Sequence, residues 1–394
     1  MKALRFSRSL PRFAAARVAD SLQPGGGARV GPLALIEAAD PVEPGPGWQR
    51  VRPILAGICG SDLATVGGRS SRYFEPIVSF PFVPGHEIVG TTEDGARVVV
   101  EPVLGCAARE IRPACPACAG GSTGRCEHLT LGHLKPGLQT GYCADTGGGW
   151  STALVAHASQ LHRVPEALSD EAAVMVEPAA CAVHAAFRAR VPGGGLVAVL
   201  GAGTLGLCVV GALRRFALPG TVIAGAKHPD QQREALRLGA DVAVAPGEVR
   251  RAVRRAARCL TVGKRLSGGA DVVLDCVGNA ASIHEALSIT RPGGRIVLVG
   301  MPGPERLDLA PLWQREIDLV GAYAYGTEEL PDGRHARTFE LAFELAATAG
   351  LGRLVSARYP LERYRDAIEH AAAAGSRGAV KIVFEPLSHK EKRT

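Results

Sequence analysis

Aromatic residues are scarce in this chain, making up 5% of its 394 residues. Nor do they interleave with basic residues, which argues against a nucleic-acid surface. No apolar run reaches the ~18–20 residues needed to cross a bilayer. The basic N-terminus, MKALRFSRSLPRFAAARVA, lacks the apolar stretch of a secretory signal. We therefore read MKALRF as an opening strand and expect a cytoplasmic protein. No internal repeat is visible. The net charge of +7 comes mostly from arginines scattered through helical stretches, such as Arg250, Arg251, Arg254 and Arg255. That pattern reads as a solvated helix face. Glycine (49 residues) and proline (27) are abundant without a collagen-like period, so they belong to turns. Runs of Val, Leu, Ile and Ala exclude intrinsic disorder. At roughly 100–200 residues per domain, the length predicts two or three domains.

The ten cysteines are unevenly placed: Cys106, Cys115, Cys118 and Cys126 fall close together, and Cys143 follows. In a cytosolic chain such clustering points to metal rather than to disulfides. Residues 1–180 carry short β-like runs between turn signals (WQRVRPILAGI, EIVGTTE, ARVVVEP, STALVAHAS), which predicts a β-rich domain. Beyond the helix-like EPAACAVHAAFRAR, apolar strands are predicted at 196–200, 221–225, 241–245, 271–276, 295–300 and 317–323. Helical stretches separate most of them, around 205–216, 230–238, 248–259 and 280–290. That alternation predicts an α/β domain over 181–323, a doubly wound parallel sheet covered on both faces. Residues 324–394 offer two helices (338–348 and 361–374) and the strand AVKIVFEP, and are expected to return to the first domain.

The strand LVAVL runs directly into GAGTLG, with Gly201, Gly203 and Gly206 at G-x-G-x-x-G spacing around Thr204 and Leu205. A strand before and an apolar helix after form the context in which glycines admit a dinucleotide pyrophosphate at a helix N-terminus. An NAD site is expected to place an acid about 20 residues on. Here the second strand ends in Ala226, Lys227 and His228, with Arg233 beyond. A carboxylate would repel a 2′-phosphate and this set would accept one, which favours NADP(H) over NAD(H). The alternative is that Lys227 and His228 merely face solvent.

Potential metal ligands stand in AGICGSDL, PFVPGHEIVG and VMVEPAACAVHA. Cys59, His86, Glu87 and Glu177 could converge on one zinc, which accepts mixed sulfur, nitrogen and oxygen donors. Their separation along the chain leaves this open on spacing alone. Taken in order, G-I-C-G-S-D-L, P-G-H-E-x-x-G, V-E-P and G-A-G-T-L-G resemble the medium-chain zinc-dependent alcohol dehydrogenases, in particular their polyol-dehydrogenase-like branch. The resemblance spans essentially the whole chain.

That resemblance implies a GroES-like catalytic domain, a Rossmann domain, and a C-terminal return to the first. It implies a catalytic zinc held by Cys59 and His86, with Glu87 able to bind or leave it and Glu177 in the ligand position where other members place cysteine. Asp62 then orients His86, and Ser61 hands on the substrate proton. Cys115, Cys118 and Cys126 resemble a structural-zinc lobe. The usual position of its first cysteine holds Arg112, so a longer loop must bring Cys106 back. Ala64 stands where many relatives carry a proton-relay histidine. The implied reaction is hydride transfer between a nicotinamide cofactor and a small alcohol or polyol, or the matching ketone or aldehyde. The implied partner is another copy of the chain, in a homodimer or homotetramer. A zinc-independent quinone or enoyl reductase would lack these ligands, and an inactive nucleotide-binding relative would show them eroded. Tyr73, Phe74 and Trp150 are candidates to line a substrate pocket, and RSSRYFEPIVSFPF to shape access to it.

Overall fold

An antiparallel pair opens the chain, with β1 (Lys2–Phe6) beside β2 (Leu33–Glu37) and Phe6 opposite Leu33. Between them lies a helix that the sequence pattern did not announce, α1 (Leu10–Leu22). It starts with Pro11 in its first turn and buries only Ala16, so it offers almost no apolar periodicity to read. The computed structural model describes residues 1–263 and 265–387. Within it, two compact units are formed: Met1–Glu177 together with the chain from Tyr325 onward, and Pro178–Ala324.

The main sheet of the first unit is built on the long strand β3 (Trp48–Gly57). From β3 the chain turns into the short helix α2 (Gly60–Val66) and returns through β4 (Ile88–Thr92) and β5 (Arg97–Val100). β6 (Leu154–His157) and β7 (Leu161–Arg163) follow. Val51, Ile88, Val98, Val100 and Leu154 close one small core between these strands. Helix α3 (Val176–Ala189) then carries the chain into the second unit.

In the second unit β8 (Leu196–Leu200) is apolar throughout, as a strand covered on both faces must be. It leads into α4 (Thr204–Ala212), β9 (Thr221–Gly225), α5 (Pro229–Arg237) and β10 (Val242–Val244). Next come α6 (Val249–Ala256) and the hairpin β11 (Thr261–Val262) and β12 (Arg265–Leu266). β13 (Ala270–Asp275), α7 (Ala280–Ile289), β14 (Thr290–Leu298) and β15 (Asp318–Gly321) complete the unit. Six parallel strands run in the order β10-β9-β8-β13-β14-β15, the doubly wound sheet expected from the alternation. The predicted helix over 205–216 is shorter than its apolar run. α4 stops at Ala212, and a wider turn over Leu213–Ala217 ends on Leu218 in the left-handed region (φ 47°).

Back in the first unit, β16 (Thr327–Glu329) pairs with β17 (His335–Arg337). Helix α8 (Thr338–Thr348), β18 (Val355–Tyr359), α9 (Tyr364–Ala372) and β19 (Lys381–Phe384) follow. β19 pairs with both β18 and β3, so the seven-stranded sheet incorporates the returning chain as β18-β19-β3-β4-β5-β7, with β6 also on β3. Among the described residues no helix is long and apolar enough to cross a membrane.

Candidate active site and metal centres

Cys59 caps the N-terminus of α2, and the Asp62 carboxylate closes that first turn by accepting the Cys59 N–H at 3.0 Å. The turn thereby presents the Cys59 thiol, the Ser61 hydroxyl and the buried Asp62 together. On the opposing strand His86 and Glu87 lead into β4. His86 points Nδ1 at Asp62 Oδ1 (3.5 Å) and Nε2 at Ser61 Oγ (3.5 Å). Burial disfavours the imidazolium, but the Asp62 carboxylate and the Cys59 sulfur outweigh it and raise His86 well above its ordinary pKa. One donor atom each from Cys59, His86 and Glu87 lies within 4.8 Å of the others.

Glu87 reaches this cluster because residue 57 is glycine: a Cβ there would overlap the Glu87 carboxylate. That carboxylate is ion-paired with Lys381 of β19, and Lys381 Nζ also donates to the Ile58 carbonyl at 3.1 Å. Lys381 is only 1% exposed. Burial alone would discharge it, but Glu87 first and Cys59 next hold its pKa above the usual lysine value.

Glu177, in the first turn of α3, is not part of the Cys59–His86–Glu87 group; its Oε1 accepts the Tyr325 hydroxyl at 3.2 Å. It is nonetheless in the same electrostatic neighbourhood. Burial, reinforced by Glu87 and opposed by His86 and Lys381, pushes it up to about 7. A thiol, an imidazole and two buried carboxylates facing one lysine are an excess of anionic donors, which a divalent cation would balance, and the donor mix suits zinc. One turn beyond Ser61, where Ala64 leaves no imidazole, the Thr65 hydroxyl meets Ser70 Oγ at 2.9 Å and Tyr142 OH at 3.3 Å. Tyr142 in turn donates to Asp62 at 3.4 Å.

The second cluster gathers the sulfurs of Cys106, Cys115, Cys118 and Cys126 within 4.8 Å of one another. Cys106 joins despite the longer loop, its Sγ accepting the Cys115 N–H at 3.3 Å. Around the ring, Cys106 N–H donates to Cys118, Cys118 N–H to Cys115, and His128 N–H to Cys126, at 3.4–3.5 Å. Burial pushes the Cys118 and Cys126 thiols up. Burial penalises the Cys115 thiolate too, but the amides of Glu127 and Cys118 overcome it and bring Cys115 down to about 6. Four inward-facing thiols ringed by amide donors fit a tetrahedral zinc.

In the second unit the turn after β8 has the shape of a dinucleotide cradle. Gly201 sits at φ +89°, where a Cβ would press on Val277 at 2.6 Å. A Cβ on Gly206 would overlap the Gly201 carbonyl, whereas one on Gly203 would meet nothing within 4 Å. The middle glycine therefore leaves open space for a pyrophosphate, while the outer two are required by the protein's own backbone. A Gly206→Ala variant must shift this turn to seat its Cβ, so it should lose stability and bind a nicotinamide dinucleotide roughly tenfold or more weakly, as thermal unfolding and fluorescence titration would show. Thr204 and Leu205 open α4. Ala226 is fully buried with its N–H on the Val244 carbonyl (2.8 Å), Lys227 is exposed, His228 precedes α5, and Arg233 is paired with Asp230.

The aromatic candidates separate. Trp150 belongs to the core: it is fully buried, packs edge-on to Phe384 at 5.1 Å, and donates its indole N–H to the Gly57 carbonyl at 3.1 Å. Tyr73 is 76% exposed and stacks edge-on to Phe74 (5.5 Å) in the turn over Arg72–Ile77.

Residues 45–166 match the alcohol dehydrogenase GroES-like domain family, and residues 204–336 match the zinc-binding dehydrogenase family. The chain is 29% identical to a sorbitol dehydrogenase of Bacillus subtilis (strain 168), over 82% of this chain and 85% of that protein. It is 30% identical to a sorbitol dehydrogenase of Arabidopsis thaliana, over 86% of this chain and 89% of the relative. The chain belongs to the zinc-binding alcohol dehydrogenase family. A zinc-binding dehydrogenase from Sinorhizobium meliloti 1021, solved bound to NADP, shares its fold at a TM-score of 0.71 and 26% identity, covering 98% of this chain and 99% of that one. As a member of this family the protein is an oxidoreductase, with a GroES-like unit and a Rossmann-type parallel sheet.

Three residues of this dehydrogenase's first unit escaped the sequence reading. Lys381 had a signal, a lone cation inside the apolar strand AVKIVFEP, which a buried charge must answer with a partner. Tyr325 and Tyr142 had none, because a tyrosine near the end of a strand or in a loop announces nothing about which carboxylate its hydroxyl will meet.

Proposed function

We propose that the protein is a zinc-dependent dehydrogenase that interconverts a secondary alcohol of a polyol-like substrate and the corresponding ketone, with NADP(H) preferred over NAD(H). The observation that carries this reading is the convergence of Cys59, His86 and Glu87 beside the Ser61 hydroxyl, with Glu177 nearby. The polyol class is favoured by the carboxylate of Glu177 in the V-E-P stretch and by relatives named as sorbitol dehydrogenases. The cofactor preference rests on Ala226, which puts no carboxylate where a 2′-phosphate would lie.

Cys59, His86 and Glu177 would hold the catalytic zinc, with Glu87 alternating between it and Lys381. The four clustered cysteines would hold a second zinc. When bound, the metal supplies Lewis acidity to a substrate oxygen and the dinucleotide supplies the hydride acceptor. The chain's own residues do the rest. Ser61 would relay the proton, accepting it from the substrate hydroxyl while passing its own hydroxyl proton on to water, as the C–H hydride leaves to the nicotinamide, so that alcohol becomes carbonyl with one proton released. Asp62 fixes the imidazole of His86 from behind, and Tyr142 fixes Asp62. Lys381 keeps Glu87 ionised but anchored. Gly203 leaves the pyrophosphate a clear approach.

Metal analysis combined with a turnover screen tests the reading. We expect zinc in the purified protein, oxidation of vicinal polyols faster than of simple primary alcohols, and a higher kcat/KM with NADP than with NAD. Zinc-free turnover would overturn the metal assignment, and a preference for NAD would overturn the reading of Ala226.

A further inference from the structure

The arginines of α6 are concentrated as well as solvated, with Arg251, Arg254 and Arg255 all exposed. Between Pro246 and Leu266 the chain carries seven lysines or arginines against the single acid Glu248, so nearly all of its net charge of +7 sits in one short stretch. Val249 and Val253, four apart, are fully buried and fix how the helix lies. Their spacing turns Arg250 and Arg254 to one flank with Arg251 beside them, and these three line an open cleft of about 330 Å³ together with Thr261 and Glu285.

Other arginines of the same unit are neutralised by acids: Arg291 by Asp271, Arg295 by Asp318 and Arg214 by Asp241. In the cleft only Arg250 is, through Glu285 at 2.7 Å, and its buried Nε has no hydrogen-bond partner. Among the described residues Arg251 and Arg254 have no ion-pair partner. Two uncompensated guanidinium forks in one cleft suit a phosphomonoester dianion, which each can grip bidentately.

The position of the cleft says which phosphate. Pro246 and Gly247, also on its wall, directly follow β10, whose Val244 carbonyl accepts the Ala226 N–H at 2.8 Å. Val249 lies over Gly225, where an added Cβ would stand 2.8 Å from its Cγ2, and the Gly225 carbonyl accepts the Gly201 N–H at 3.0 Å. At Pro246 and Gly247 one end of the cleft thus reaches the carboxyl end of the parallel strands, the end at which open α/β sheets bind their ligands, and Val249 ties the same helix start to the tip of β9. Of the cations at that tip itself, Arg233 is already occupied by Asp230.

We propose that the cleft formed by Arg250, Arg251 and Arg254 is a phosphomonoester site whose occupant is the adenosine 2′-phosphate of NADP(H). Arg251 and Arg254 hold the dianion, and Glu285 positions Arg250 beside them. This rests on the cofactor preference proposed above and names the side chains that would create it.

The test compares dissociation constants of 2′,5′-ADP and 5′-AMP, and of NADPH and NADH, for the full-length protein, the Arg251→Ala/Arg254→Ala double variant and the Arg255→Ala control. Arg255 is exposed on the same helix but lies outside the cleft lining. Charge-assisted bonds of this kind predict a roughly hundredfold loss of affinity for 2′,5′-ADP and NADPH in the double variant. 5′-AMP and NADH should change less than about twofold, and the control should bind as wild type. If wild type prefers the 2′-phosphorylated ligands but the double variant weakens both classes equally, or neither, the assignment of the cleft is overturned while the cofactor preference stands. If wild type shows no such preference, the NADP reading fails and with it the proposed occupant. Titration with inorganic phosphate then decides the site itself: binding lost in the double variant keeps it as a site for a separate phosphate ligand, and no binding overturns it.

Discussion

Cys59→Ala should leave the protein folded, short of one zinc per chain, and without measurable turnover. Cys59 is only partly buried at the start of α2, and the Asp62 carboxylate that accepts its backbone N–H remains to close the turn, so the loss is one of ligation rather than of fold. The cysteine cluster is untouched by this change, so metal content should fall by one equivalent and not to zero. Lewis-acid catalysis contributes several kcal/mol of transition-state stabilisation, so the turnover loss should be on the order of a thousandfold or more. Metal analysis and steady-state kinetics on the same preparation check both halves. A variant that keeps its rate would remove the basis for a metal-dependent reaction at this site.

Lys381→Met carries the second large effect, and it falls on stability. The methionine fills much of the lysine's volume but leaves the Glu87 carboxylate buried without its countercharge. Breaking a buried pair in this way costs about 3–5 kcal/mol. Urea unfolding of the metal-free protein reads the effect without interference from zinc binding. The Lys381→Met/Glu87→Gln double variant should regain most of the loss, because it no longer buries an uncompensated charge. A single variant within about 1 kcal/mol of wild type would show that the pair is not what holds these two side chains in the core.

The Rossmann-type unit was legible because its signals are local. LVAVL followed by GAGTLG places strand, turn and helix within one short stretch, and continuous apolar strands can only be buried on both faces. Cys59, His86 and Glu87 were legible as one site through the family resemblance, but not from their spacing. Their meeting depends on β3 and β4 pairing and on Gly57 leaving room, neither of which is written in the spacing. Cys106 posed the same difficulty, since a loop can close over many lengths. α1 was missed because it buries a single residue, and the β11–β12 hairpin because strands of two residues have no period. The arginines of α6 were seen and read as solvated. Charge spacing shows which flank of a helix is polar, but the wall that turns a polar flank into a cleft comes from Thr261 and Glu285, on other elements.

Lys381 and the carbonyl of Ile58 that it caps are separated by 323 residues of chain. On the ribosome, the thiol, the imidazole and both carboxylates are made first, and the lysine that balances Glu87 comes only after the whole Rossmann-type unit has been synthesised. Domains generally fold as they emerge, so that unit is complete while the sheet around β3 still lacks β18 and β19 on one side. The seven-stranded sheet is thus closed by its latest strands, and β19 carries in the charge that makes its acids tolerable. The pairing that balances Glu87 therefore waits until Lys381 has been made, by the order of the chain alone.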